Sequence, residues 1–80
     1  MYEVMYQPEA AAELNGLRAF DRARLLDAVA KNLTTAPSAV SGKKKRIDLG
    51  EGDFIRQLRV AEFRLFYDVD EVKRLVIVRH

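Results

Sequence analysis

Arg59 and Arg64 lie within a stretch, Phe54 to Val69, that alternates apolar and polar side chains. A guanidinium grips carboxylate or phosphate through two parallel N–H donors, so two of them on one surface make a natural anion site. Upstream runs Lys43-Lys44-Lys45-Arg46. This run could track a nucleic-acid backbone, each cation neutralising one phosphate. It also suits a solvated loop that keeps the next strand's edge from pairing with other chains. Arg56 adds a further cation, and Phe66 is the aromatic that alternation puts on the face of Arg64, where it could stack on a base. His80, the only histidine, offers an imidazole for acid or base work near neutral pH, or an idle terminal residue. Arg64 itself has a plainer reading, pairing with Asp68 on its own strand face.

Composition bounds these options. The 80 residues are 49% apolar and 32% charged, with four Gly and two Pro, which describes one small globular domain spanning residues 1–80. There is no cysteine, hence no disulfide, thiolate zinc site or cysteine nucleophile, and one histidine excludes a histidine-rich metal site. No metal and no cofactor are expected. The apolar runs Leu75–Val78 and Leu65–Tyr67 are far too short to span a membrane, and the first residues lack a secretory pattern. A cytoplasmic chain with no membrane partner is the expectation. Net charge is only +2, but residues 1–40 carry four Lys/Arg against five Asp/Glu and residues 41–80 ten against seven. That imbalance suits an anionic partner.

The elements that must hold these residues can be read in order. Tyr2–Tyr6 reads as a strand. Pro8 suits the first turn of a helix that carries Ala10, Leu14 and Leu17 and stops near Arg18. Asp21 then caps a second helix whose apolar stripe is Leu26, Val29, Ala30 and Leu33. Pro37 closes it, and small residues lead to a strand over 45–49 with Ile47 and Leu49 on one face. Gly50–Asp53 turns the chain into the hairpin strands Phe54–Val60 and Phe63–Val69, joined by Ala61-Glu62. Phe54, Leu58 and Val60 belong to the core with Phe63, Leu65, Tyr67 and Val69, leaving Ile55, Gln57, Arg59, Arg64, Phe66 and Asp68 on the open side. Arg56 then points inward, either with its head solvated at an edge or because a bulge shifts the phase. Glu62 reads as a hairpin residue. A last strand covers 74–79. The order β-α-α-β-β-β-β predicts an α+β domain, a mostly antiparallel sheet with a helical hairpin on one face.

The opening strand running into Tyr6-x-Pro8-Glu9-Ala10, the helical hairpin with Leu17 and Arg22, and above all Leu58 to Asp70 resemble the RelE/ParE superfamily of toxins from type II toxin–antitoxin modules. The resemblance covers nearly the whole chain. It implies a toxin neutralised by a cognate antitoxin in a hetero-oligomer. The activity implied is either ribosome-dependent, metal-independent mRNA cleavage, in which the ribose 2′-OH attacks the adjacent phosphate, or binding of DNA gyrase without nuclease chemistry. A third expectation is a member that binds its antitoxin and attacks nothing. Arg64 matches the family's phosphate-contacting arginine and Arg59 a common arginine on the neighbouring strand, so Arg64, Arg59 and His80 are the candidate catalytic residues. Lys43, Lys44, Lys45, Arg46, Arg56 and Phe66 are the candidate RNA contacts, with ribosome and mRNA as partners. RelE-like nucleases carry lysines where this chain has Ile55 and Gln57, and an arginine and tyrosine after the final strand, where this sequence stops at His80.

Overall fold

A computed structural model describes residues 1–80. Its elements are β1 (Glu3–Tyr6), α1 (Pro8–Asn15), α2 (Ala19–Leu33), β2 (Lys44–Gly50), β3 (Asp53–Val60), β4 (Phe63–Asp70) and β5 (Leu75–Val78). The five strands form one sheet in the order β1-β5-β4-β3-β2, with β1 parallel to β5 and all other pairs antiparallel. The α+β fold expected from the sequence is therefore the fold observed.

The helical hairpin covers one face. Ala10 and Leu14 of α1 and Leu25, Val29 and Leu33 of α2 are buried against Leu58, Leu65, Tyr67, Val76 and Val78 of the sheet. Tyr67 is 1% exposed, and its hydroxyl donates to the carbonyl of Pro37 at 3.1 Å, which settles the one polar atom it takes inside.

The two helices begin and end differently from expectation. Gly16 stops α1 earlier than Arg18, its N–H turning back to Ala12 and Glu13. Arg18 is extended (φ −62°, ψ 151°) and serves as the N-cap of α2, so Asp21 falls inside the first turn. There Asp21 is buried and accepts from Arg18 Nε at 3.4 Å. The buried row of α2 is Asp21, Leu25, Val29 and Leu33, spaced by four, whereas Leu26 and Ala30 face solvent. Leu49 is also displaced from the face of Ile47: the register shifts between Asp48 and Gly50, and Leu49 sits exposed at that irregularity.

The β3–β4 connection, like the β2–β3 one, has only two residues between its last paired positions. Val60 pairs with Phe63, and Ala61 between them adopts φ 54°, a left-handed conformation that an L-residue other than glycine enters at a cost. The register it fixes is Arg56 opposite Tyr67, Gln57 opposite Phe66, Leu58 opposite Leu65 and Arg59 opposite Arg64.

Candidate functional site

Alternation and register together assign every strand side chain to the helix-covered face or to the face that carries no helix. Leu58, Leu65 and Tyr67 are core, so their sequence neighbours Arg59, Gln57, Arg64, Phe66 and Asp68 share the helix-free face. Lys43 and Lys45 of the adjoining β2 segment join them, since Lys45 pairs with Gln57 and the Lys43 carbonyl accepts the Arg59 N–H at 2.8 Å. This face is thus built in rows. Lys43, Arg59 and Arg64 form one. Lys45, Gln57, Phe66 and Arg79 form the next, with the Arg79 N–H donating to the Phe66 carbonyl at 2.8 Å.

Arg59 and Arg64 are both exposed and stand directly opposite one another. Because the Arg59 N–H is spent on β2, the pair is of the narrow, non-hydrogen-bonded kind, with Cα atoms about 4.5 Å apart. Like charges in that position repel unless something negative lies between them. No protein carboxylate does so. Arg59 reaches only the Gly42 carbonyl, at 3.4 Å. Asp68, the alternative partner for Arg64, instead holds Arg79 of the β5 end in an ion pair. Glu62 in the hairpin turn pairs with Arg24 at 3.4 Å, away from the arginine pair. The two guanidinium groups are left to solvent.

The basic run does not act as one patch. Lys44 lies on the covered face, 8% exposed, and its Nζ donates to the carbonyls of Asn32 (3.1 Å) and Ala36 (2.8 Å). Burial lowers its pKa, and the ammonium ties the end of α2 to the loop beyond it. Arg46 and Arg56 pair across β2 and β3 on that same covered side. Arg46 stacks on Phe54 at 3.8 Å and bonds Asp48, while Arg56 lies 5.2 Å from the same ring and donates to the Ser38 carbonyl. The register from Arg56 to Val60 is unbroken, so no bulge shifts the phase; Arg56 stays on the covered side of an interior strand, its head part-buried rather than solvated. Lys44, Arg46 and Arg56 thus lie on the helix side of the sheet, apart from the face of Arg59 and Arg64. Only Lys43 and Lys45 of the run share the face of Arg59 and Arg64.

His80 is held rather than frayed. Its backbone exchanges hydrogen bonds with Phe66, its ring meets the Phe66 ring edge-on at 6.3 Å, and its Nδ1 lies 3.2 Å from Glu9 and 3.7 Å from Glu13 of α1. Those three side chains, with ligand atoms within 4.8 Å of one another, are the set that could hold a divalent cation, though all are exposed. His80 and Arg64 line one groove of about 410 Å³ with Leu14, Leu17 and Phe63, but the imidazole is turned to the α1 carboxylates.

At the far end of the sheet Glu71 accepts from Ser38 Oγ (2.5 Å) and the Tyr2 hydroxyl (2.7 Å). These bonds, the Ser38 one foremost, hold its pKa below the usual carboxylate range, with Arg56 and Arg74 adding to the effect. The network ties the amino-terminal strand, the loop after α2 and the β4–β5 turn together, and it is remote from the arginine pair.

Two residues of the helix-free face were not singled out by sequence reasoning, Gln57 and Arg79. Alternation had placed Gln57 there, but only as the site of a missing lysine; Arg79 gave no signal because its partner, Asp68, comes from another strand.

No family model matches the chain, and no curated protein matches it by sequence. Solved structures do. One is the archaeal RelE–RelB complex from Pyrococcus horikoshii OT3, with a TM-score of 0.78 and 19% identity over 98% of this chain and 89% of that one. Another is the toxin–antitoxin complex RelBE2 from Mycobacterium tuberculosis, with a TM-score of 0.79 and 21% identity over 96% of this chain and 90% of that one. At these identities the likeness is one of fold: the chain has the RelE-like fold along almost its whole length.

Proposed function

We propose that this chain is the toxin component of a type II toxin–antitoxin module, inhibiting translation by cleaving mRNA at the ribosome and held inactive by an antitoxin. The observation that carries the reading is the Arg59–Arg64 pair, exposed, directly opposed and without a carboxylate, on a RelE-like fold. In such cleavage the 2′-OH attacks the neighbouring phosphorus, a cyclic phosphate forms and the 5′-oxygen leaves. Two cations at the phosphate stabilise the extra negative charge of the phosphorane. The proton transfers need other groups, and Ile55 cannot serve. Gln57 does not titrate, and His80 and Glu13 are the titratable side chains that share a groove with Arg64. The two solved structures named above are a RelE–RelB complex and a toxin–antitoxin complex, which supports a protein partner and a hetero-oligomer here.

The absence of lysine at Ile55 and Gln57 favours a second reading, a ParE-like inhibitor of DNA gyrase, or a form that only binds its antitoxin. Expression of the chain followed by mapping of RNA 5′ ends and a supercoiling assay separates these. Cuts inside translated codons, lost in Arg64→Ala together with growth arrest while the thermal midpoint holds, are the expected result. Trapped gyrase–DNA complexes with intact messages would replace the nuclease reading with the second. A fully toxic Arg64→Ala variant would remove the arginine pair from the mechanism.

A further inference from the structure

Gln57 is 6% exposed, yet it lies on the face that no helix covers. Its amide engages no protein hydrogen bond, and its polar atoms still reach the surface, since no fully enclosed side-chain nitrogen or oxygen is left without a partner. The stem is walled in by its register neighbours, Lys45 on one side and Phe66 on the other. The backbone N–H and C=O of Phe66 are spent on the β5 side, so Gln57 and Phe66 form a narrow pair whose side chains lie as close as strand geometry allows. With no protein partner, the amide's donor and acceptor are open to water or a ligand at that surface.

Two residues along each strand, about 6.8 Å away, stand Arg59 and Arg64. That spacing suits one nucleotide, with its phosphate on the arginines and its base on the next row. We infer that Phe66 and Gln57 form a base-reading subsite beside the phosphate site, Phe66 supplying the stacking surface and the Gln57 amide the hydrogen bonds. A carboxamide presents a donor beside an acceptor, the complement of the N6 and N7 edge of adenine. Single-stranded RNA exposes such edges, because its bases can be splayed and stacked on aromatic side chains. The subsite therefore selects adenine in single-stranded RNA. Gln57 here is a specificity residue where a nuclease of this fold would carry a lysine, and the inference rests on the RNA-binding reading above.

Fluorescence anisotropy tests it with labelled hexaribonucleotides, one all uridine and one with a single central adenosine. The adenosine hexamer should bind about tenfold more tightly. Gln57→Leu should erase that ratio, and Phe66→Leu should weaken both hexamers. Arg64→Ala should weaken both and keep the ratio. If Gln57→Leu unfolds, Gln57→Met, which keeps the stem length, serves in its place. An absent adenosine preference, or one that survives loss of the amide, overturns the subsite. If Arg64→Ala still weakens both hexamers in that case, the phosphate reading stands without it. If Arg64→Ala weakens neither, the phosphate reading itself falls.

Discussion

Chemically similar residues a single position apart do unrelated work in this chain. Lys43 and Lys45 extend from the helix-free face, whereas Lys44 between them is a buried strut bonded to the Asn32 and Ala36 carbonyls. Lys44→Met keeps the length of the stem and strips both carbonyls of their donor. It should cost about 2 kcal/mol of stability, read as a shift in the urea midpoint, and leave RNA affinity unchanged. Lys45→Ala should do the reverse, lowering affinity with stability held. The Arg59–Arg64 face was legible in the sequence because both strands alternate clearly, with Leu58, Leu65 and Tyr67 as markers of the core. The basic run carries no such markers. A strand of Lys, Lys, Arg and one Ile does not announce which side is buried, and a one-residue change of phase moves every side chain to the opposite face. Gln57 stayed illegible for another reason: a neutral amide gives no charge signal, and its burial depends on neighbours from two other strands.

At the scale of the element, α2 shows how far periodicity reaches. Leu25 and Leu26 are adjacent and both fit a stripe with Val29 and Leu33, and the helix's rotation is set by packing against β3 and β4 rather than by its own sequence. Leu25 is 3% exposed and Leu26 is 41% exposed. Leu25→Ala should therefore destabilise the chain by about 2–5 kcal/mol, a large fraction of what so small a domain possesses. Leu26→Ala should stay within about 0.5 kcal/mol. Chemical denaturation of the two variants side by side checks the assignment, and equal losses would refute this rotation of α2. The boundary between the helices was misread for a related reason. Asp21 has the chemistry of a cap, but the extended backbone at Arg18 starts the helix earlier and carries Asp21 into its first turn, where a carboxylate is still favoured. The β3–β4 hairpin had no Asn-Gly signal; Ala61 takes the left-handed position instead, and the arginine register depends on it.

Across the whole molecule the net charge of +2 says less than its division between two faces. Arg46 and Arg56 are occupied with Phe54, Asp48 and Ser38 on the covered side, while Arg79 is neutralised by Asp68. Lys43, Lys45, Arg59 and Arg64 remain as cations on the helix-free face, free of ion pairs. Each phosphate that such a cation neutralises releases counterions, contributing about −0.7 to the slope of log affinity against log salt for a single strand. Three or four contacts predict a slope of about −2 to −3 for a hexaribonucleotide. Arg64→Ala should flatten it by about 0.7, as should Arg59→Ala, while Arg46→Ala and Arg56→Ala should leave it unchanged because their side chains face the other way. Titrations from low to moderate salt read this directly. Equal flattening by the covered-face variants would mean that the RNA crosses the edge of the sheet at β2, and the surface defined by the two opposed arginines would no longer be its path.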